Sequence, residues 1–213
     1  MRRFFLGLSL VLALGWTPAV AVPPTVRHVF FSDADKADLD HVSAALNAIH
    51  TLKGSFIQID PDGQIDEGVF YIEKPGRMRF EYHAPNPVLI VSDGSTVAVQ
   101  NRSLNTIDHY PIWATPLDLI LSDDLDLKRN ASIAGVDREP GEIIVDARSH
   151  SSRTNGNISL VFTDPELALR QWTIVDDQGL STTVAVRDVQ QNVAINPELF
   201  VLPKKKSASK TGG

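Results

Sequence analysis

The strongest constraint on this chain's fold is a change of hydrophobic period around Gly54. Before it, Val42, Ala45, Leu46 and Ile49 recur three and four apart, the spacing of one helix face. After it, apolar residues alternate with polar ones in short runs at 55–60, 67–74, 77–83, 88–92, 96–101 and 105–109. The pattern resumes at 131–137, 141–148, 156–163, 168–176 and 180–191. Turn residues separate the runs: Pro61-Asp62-Gly63, Pro75-Gly76, Pro85-Asn86-Pro87, Asp93-Gly94 and Asp176-Asp177-Gln178-Gly179. Connections this short make antiparallel hairpins, because a parallel pair needs a crossover of about a dozen residues. The fold class is therefore mainly β, about eleven strands in one sheet, which has to curl strongly or close. Alternation predicts one covered face and one wet face.

The cover comes from the remaining segments. A helix begins near Asp33, with Ser32 or Asp33 as its cap. Residues 111–127 interrupt the strands. Trp113, Leu117, Leu119, Ile120 and Leu121 predict a short helix entered through Thr115-Pro116, and a second turn is expected over 122–127. Asn196-Pro197-Glu198 makes a turn that returns Phe200 and Leu202 to the body. Within Arg77 to Tyr82 the two faces separate: Arg77, Arg79 and Glu81 on the wet side, Met78, Phe80 and Tyr82 on the apolar side.

The N-terminus reads as an export signal. Arg2 and Arg3 precede an apolar run from Phe4 to Trp16, and Ala19-Val20-Ala21 supplies the small-x-small cleavage pattern. A membrane span needs about 20 apolar residues, so the run is short for one. The expected organisation is a signal peptide at 1–21, one domain at 22–203 and a disordered basic tail at 204–213. Cysteine is absent, so neither a disulfide nor a lipid-modified cysteine is available. Setting aside the signal and the four tail lysines, 14 basic residues face 26 acidic ones. Such a body repels phosphate polymers, which excludes nucleic acid as the partner of the Arg77–Tyr82 stretch.

Catalytic chemistry finds little support. There is no thiol, no Gly-x-Ser-x-Gly elbow and no phosphate loop, and the six histidines lack the close spacing of a zinc site. Asp123-Asp124 and Asp176-Asp177 read as turn residues. No catalytic residue, metal ligand or cofactor is assigned. Two readings of the greasy face stay open at this level: a filled core, or a pocket for an acyl chain, each of whose buried methylenes is worth about 0.8 kcal/mol. An enzyme acting on envelope polymers and a binding or scaffold module are the rivals.

Several motifs in order carry a resemblance. They are Gly54-Ser55-Phe56-x-Gln58, Gly68-x-Phe70-Tyr71-Ile72-x-Lys74-Pro75-Gly76-Arg77-Met78-Arg79-Phe80-x-Tyr82 and Val91-Ser92-Asp93-Gly94. Thr115-Pro116-Leu117-x-Leu119-Ile120, Leu169-x-x-Trp172-x-Ile174-x-Asp176-x-x-Gly179 and Asn196-Pro197-x-Leu199-Phe200 follow. Together, from about residue 38 to 203, they resemble the LolA family of periplasmic outer-membrane lipoprotein carriers. The resemblance implies an unclosed antiparallel barrel with a helical lid over a hydrophobic cavity. It implies a soluble, monomeric periplasmic carrier, not an enzyme, that takes acylated lipoproteins from an inner-membrane ABC transporter to an outer-membrane acceptor. A free lipid, phospholipid or glycolipid, is the alternative cargo. By position, Leu46, Ile49, Phe56, Phe70, Ile72, Met78, Phe80 and Tyr82 would line the cavity. Leu117 and Ile120 would sit on the lid, and Lys74 would hydrogen-bond it where relatives carry arginine. Val97-Ala98-Val99-Gln100 stands where relatives commonly carry aromatics.

Overall fold

The computed structural model describes residues 31–115, 117–149, 156–176 and 178–204. The expected signal peptide and most of the basic tail lie outside them, as do Pro116 and Asp177. Helix α1 (Asp33–Asn47) starts where the sequence predicts because Ser32 forms a capping box. Its hydroxyl accepts the Asp35 N–H at 3.1 Å, and the Asp35 carboxylate accepts the Ser32 N–H at 2.8 Å. Leu39, Val42 and Leu46 form the buried stripe, while Ala45, expected on it, is only half-buried.

The strands are β1 (Thr51–Ile59), β2 (Ile65–Glu73), β3 (Arg77–Tyr82), β4 (Val88–Asp93), β5 (Thr96–Asn101) and β6 (Thr106–Pro111). After the interruption come β7 (Ala131–Glu139), β8 (Glu142–Ser149), β9 (Asn157–Thr163), β10 (Leu169–Val175) and β11 (Ser181–Gln191). They form one antiparallel sheet in the order β6-β5-β4-β3-β2-β1-β11-β10-β9-β8-β7. Among the described residues β6 and β7 are its two edges, so the sheet is not closed into a barrel.

All eleven expected strands are present, with one instructive displacement at β1, which begins at Thr51 and contains Gly54. Gly54 is not the break between helix and sheet. It sits at a bulge in the β1–β11 ladder, where a Cβ would lie 2.5 Å from the Arg187 carbonyl oxygen. The helical interruption also differs in detail. A 3-10 turn (Ile112–Ala114) leads into α2 (Asp118–Leu121), and the expected turn at 122–127 is replaced by α3 (Leu127–Asn130). Asp126 moves that start: its carboxylate accepts the N–H groups of Lys128 and Arg129 as an N-cap.

Alternation sorts the sheet into two faces. The inner face carries Phe56, Phe70, Phe80, Leu160 and Val184 and shares one apolar cluster with α1, α2 and α3. On the outer face, the 3-10 turn Pro197–Phe200 lies on β3 and β4, where Phe200, Val91 and Ala98 are all buried. That strap changes the expected wet row. Arg77 and Glu81 remain partly exposed, but Arg79 is largely covered and donates to the Leu199 carbonyl at 3.3 Å.

Candidate functional site: the roofed inner face

The site grows from β1, β2 and β3, whose inward positions are unusually aromatic. Phe80 stacks on Phe70 with ring centroids 5.8 Å apart, and meets Phe56 edge-on at 5.2 Å. Phe56 also meets Tyr82 edge-on at 5.1 Å, and Trp172 of β10 approaches Phe80 edge-on at 6.1 Å. These are the tilted and offset geometries that ring quadrupoles favour. Room for the Phe56 ring comes from Gly68 across the ladder, where a Cβ would fall 2.6 Å from the ring edge.

All eight residues expected to line a cavity converge here. Leu46, Ile49, Phe56, Phe70, Ile72, Met78, Phe80 and Tyr82 belong to one cluster, and none is more than 7 % exposed. Their own side chains and the roof therefore fill the space between them in this conformation. One polar pair lies beside the rings. The Tyr82 hydroxyl donates to Gln58 Oε1 at 2.6 Å, and burial, reinforced by the charges of Asp60 and Asp66, raises its pKa.

The roof is α1 together with residues 112–130. Ile120 is buried in the cluster with Leu119, Leu121, Leu125 and Leu127, while Leu117 is half-buried against it. Polar bonds hold this segment down. The Asn47 side chain donates to the Leu125 carbonyl and accepts the Leu125 N–H, both at 2.8 Å. Ser43 Oγ accepts the Leu127 N–H at 3.1 Å, and Gly76 N–H donates to the Leu121 carbonyl at 3.0 Å. Sequence reading did not select Asn47 or Ser43. Both look like polar helix residues, and only the fold brings Leu125 and Leu127 opposite them. Trp172 was visible as part of a motif but carried no assigned role.

Lys74 departs from its expected role. Its ammonium donates to the Leu46 carbonyl at 2.7 Å, on the end of α1 rather than on residues 112–130. The last turn of α1 has no basic residue of its own, so Lys74 supplies the cation that the negative end of the helix dipole favours. Burial pulls its pKa down to about 8, opposed by the negative charge of Asp123.

The described residues hold no group of acidic or histidine side chains arranged to bind a metal. Next to the roof, a cleft of about 470 Å³ lies between the turn tips and residues 112–130. It is lined by Pro75, Gly76, Gly94, Ile112, Leu121 and Leu125 among others, and by none of the eight inner-face residues.

An open antiparallel sheet whose aromatic inner face is roofed by short helices defines a class of β-sheet proteins with a coverable apolar interior. The chain belongs to the LolA family: the family model for the outer membrane lipoprotein carrier protein LolA matches residues 47–203. An outer-membrane lipoprotein carrier protein of Methylococcus capsulatus is 24 % identical over 188 residues, covering 84 % of this chain and 89 % of the relative. One from Methylobacillus flagellatus is 26 % identical over 208 residues, 93 % of each chain. A solved structure of a DUF1329 family protein from Desulfovibrio piger shares the fold, with a TM-score of 0.50. It is 10 % identical, over 80 % of this chain and 98 % of that one. No helix among the described residues is long and apolar enough to cross a membrane.

Proposed function

We propose that this protein is a non-enzymatic periplasmic carrier that shields the acyl chains of lipoproteins on its aromatic inner face. It would receive them from an inner-membrane ABC transporter and release them to an outer-membrane acceptor. The observation that carries the reading is how the inner face is covered. A short helical segment roofs it, and side-chain and backbone hydrogen bonds to α1 and to the β2–β3 turn hold that segment in place. Such a cover can be exchanged for another apolar body.

The energetics set a threshold for that exchange. Returning Leu119, Ile120 and Leu121 to water costs about 2 kcal/mol each, or about 6 kcal/mol together. At about 0.8 kcal/mol per methylene, roughly eight buried methylenes match it. Short chains would leave the roof down, and longer ones would displace it with a modest surplus. That modest surplus permits release, because a ligand shifts the open–closed equilibrium only by its differential affinity for the two states. Direction would come from the partners.

Native purification followed by mass spectrometry tests the proposal. Co-purified triacylated or diacylated polypeptide is the expected result. Free phospholipid or glycolipid without polypeptide would transfer the function to the alternative cargo, and consistent absence of both would remove the carrier reading.

A further inference from the structure

The outer face of β8 to β11 has no part in the roofed interior. Register sets Ile144, Val161, Gln171 and Ala185 side by side across these strands. Their sequence neighbours Val145, Leu160, Trp172 and Val184 are buried on the inner face, so this row points outward. It floors a groove of about 370 Å³ whose walls include Arg170 and Arg187. The same two arginines line a second groove of about 440 Å³, together with Leu169, Val186 and Val189. Of the eight arginines among the described residues, six are engaged by neighbouring groups. Arg170 and Arg187 are exposed, and among the described residues no hydrogen bond or ion pair reaches either guanidinium. The adjacent acid is occupied elsewhere: the Asp188 carboxylate accepts the Ser55 hydroxyl at 3.1 Å. We propose that these joined grooves, with Arg170 and Arg187 as anchors, dock an extended acidic segment of a partner protein.

Charge selects the partner's sign. Residues 22–203 carry 14 basic against 26 acidic residues, so two unengaged guanidiniums on one groove are a local exception. A carboxylate answers a guanidinium with two parallel hydrogen bonds, and the acidic body repels phosphate polymers. Shape selects a polypeptide. Leu169 and Val186 are buried, Ile144 and Val161 are half-buried, and no exposed large hydrophobic side chain lines either groove. A bilayer is held by protruding apolar anchors, whereas a recess receives the side chains of a protein. The backbone adds a further handle. The β10–β11 register begins at Gln171 opposite Ala185, but β11 runs on beside β1 to Gln191. Among the described residues no strand pairs with Arg187–Gln191 on the side away from β1, and most of this stretch lines the second groove. Main-chain groups at such an edge pair with an extended segment, whose alternate side chains then share one side.

The test is fluorescence anisotropy of a labelled peptide alternating glutamate and threonine, titrated with the purified protein at low and raised ionic strength. A peptide with glutamine for glutamate is the control. Binding is expected only to the glutamate peptide, weakening with salt. Arg170→Gln and Arg187→Gln should each weaken it about fivefold, and the double variant R170Q/R187Q should lose it. Arg148→Gln, an equal loss of exposed charge on β8, should leave it unchanged. Failure to bind the glutamate peptide, equal binding to the glutamine peptide, or retention by the double variant would overturn the proposal. If vesicles containing phosphatidylglycerol bind through these arginines and the peptide does not, the grooves face a membrane instead. If sedimentation shows self-association that the double variant abolishes, and the peptide does not bind, their occupant is a second copy of this chain. The peptide carries no acyl chain, so its failure leaves the carrier reading standing, and failure of the carrier reading leaves this result standing.

Discussion

Lys74 shows how one side chain can serve the end of a helix on another element. An arginine there could fork between two acceptors, whereas a lysine is a point donor and spends its bond on the end of α1. Its pKa of about 8 lies below the 10.5 of an exposed lysine. Between those values the unfolded chain holds more protons on this group than the folded one, so its contribution to stability rises with pH. It is most favourable above about 10.5 and is lost as pH falls through about 8. Urea unfolding of the wild type and Lys74→Met across that window should show the difference moving in favour of the wild type. A pH-independent difference would place the amine in water. Gly68 gives a second residue-scale prediction. Gly68→Ala must displace either the Phe56 ring or the β3 backbone, and overpacking of this kind costs about 1–3 kcal/mol in thermal or urea unfolding. Glutamate at Phe80 would be no clean probe of binding, because Phe80 is buried against the rings of Phe56, Phe70 and Trp172 and an unpaired charge there would unfold the chain first.

At the scale of elements, the local signals in the sequence were sufficient for the strands and weak for the roof. Met78, Phe80 and Tyr82 announce their face because period two depends only on the pleat. Ser32 announces the start of α1 because capping is local. Nothing local marks Asn47 as the residue that holds Leu125, since 78 positions separate them. Nor does anything local distinguish a filled inner face from an empty one, because both need the same apolar alternation. Gly54 misled for a physical reason: glycine ends helices and also admits close backbones at bulges, and here it does the second. The roof yields its own prediction. Asn47→Ala removes two hydrogen bonds to Leu125, each worth about 1 kcal/mol net. Hydrogen exchange at the Leu125 and Leu127 amides should accelerate roughly thirtyfold, while β1 and β2 amides stay protected. Unchanged exchange would show that apolar packing alone holds the roof.

At the scale of the molecule, the sheet's order carries a consequence for when this protein can fold. β1 pairs with β11 along the middle of the sheet, from Leu52 opposite Gln191 to Ile59 opposite Thr183. The first strand made therefore waits for the last, with more than a hundred residues between them, the kind of long-range pairing that slows folding. A chain threading through a membrane pore N-terminus first cannot complete its central ladder until β11 has emerged. Until then β1 keeps a bare edge and the two hairpin series remain separate half-sheets. For a chain exported as proposed above, vectorial delivery would expose that unpaired central edge until the last strand emerges. Dependence on helpers would then be greatest in the last moments of that passage.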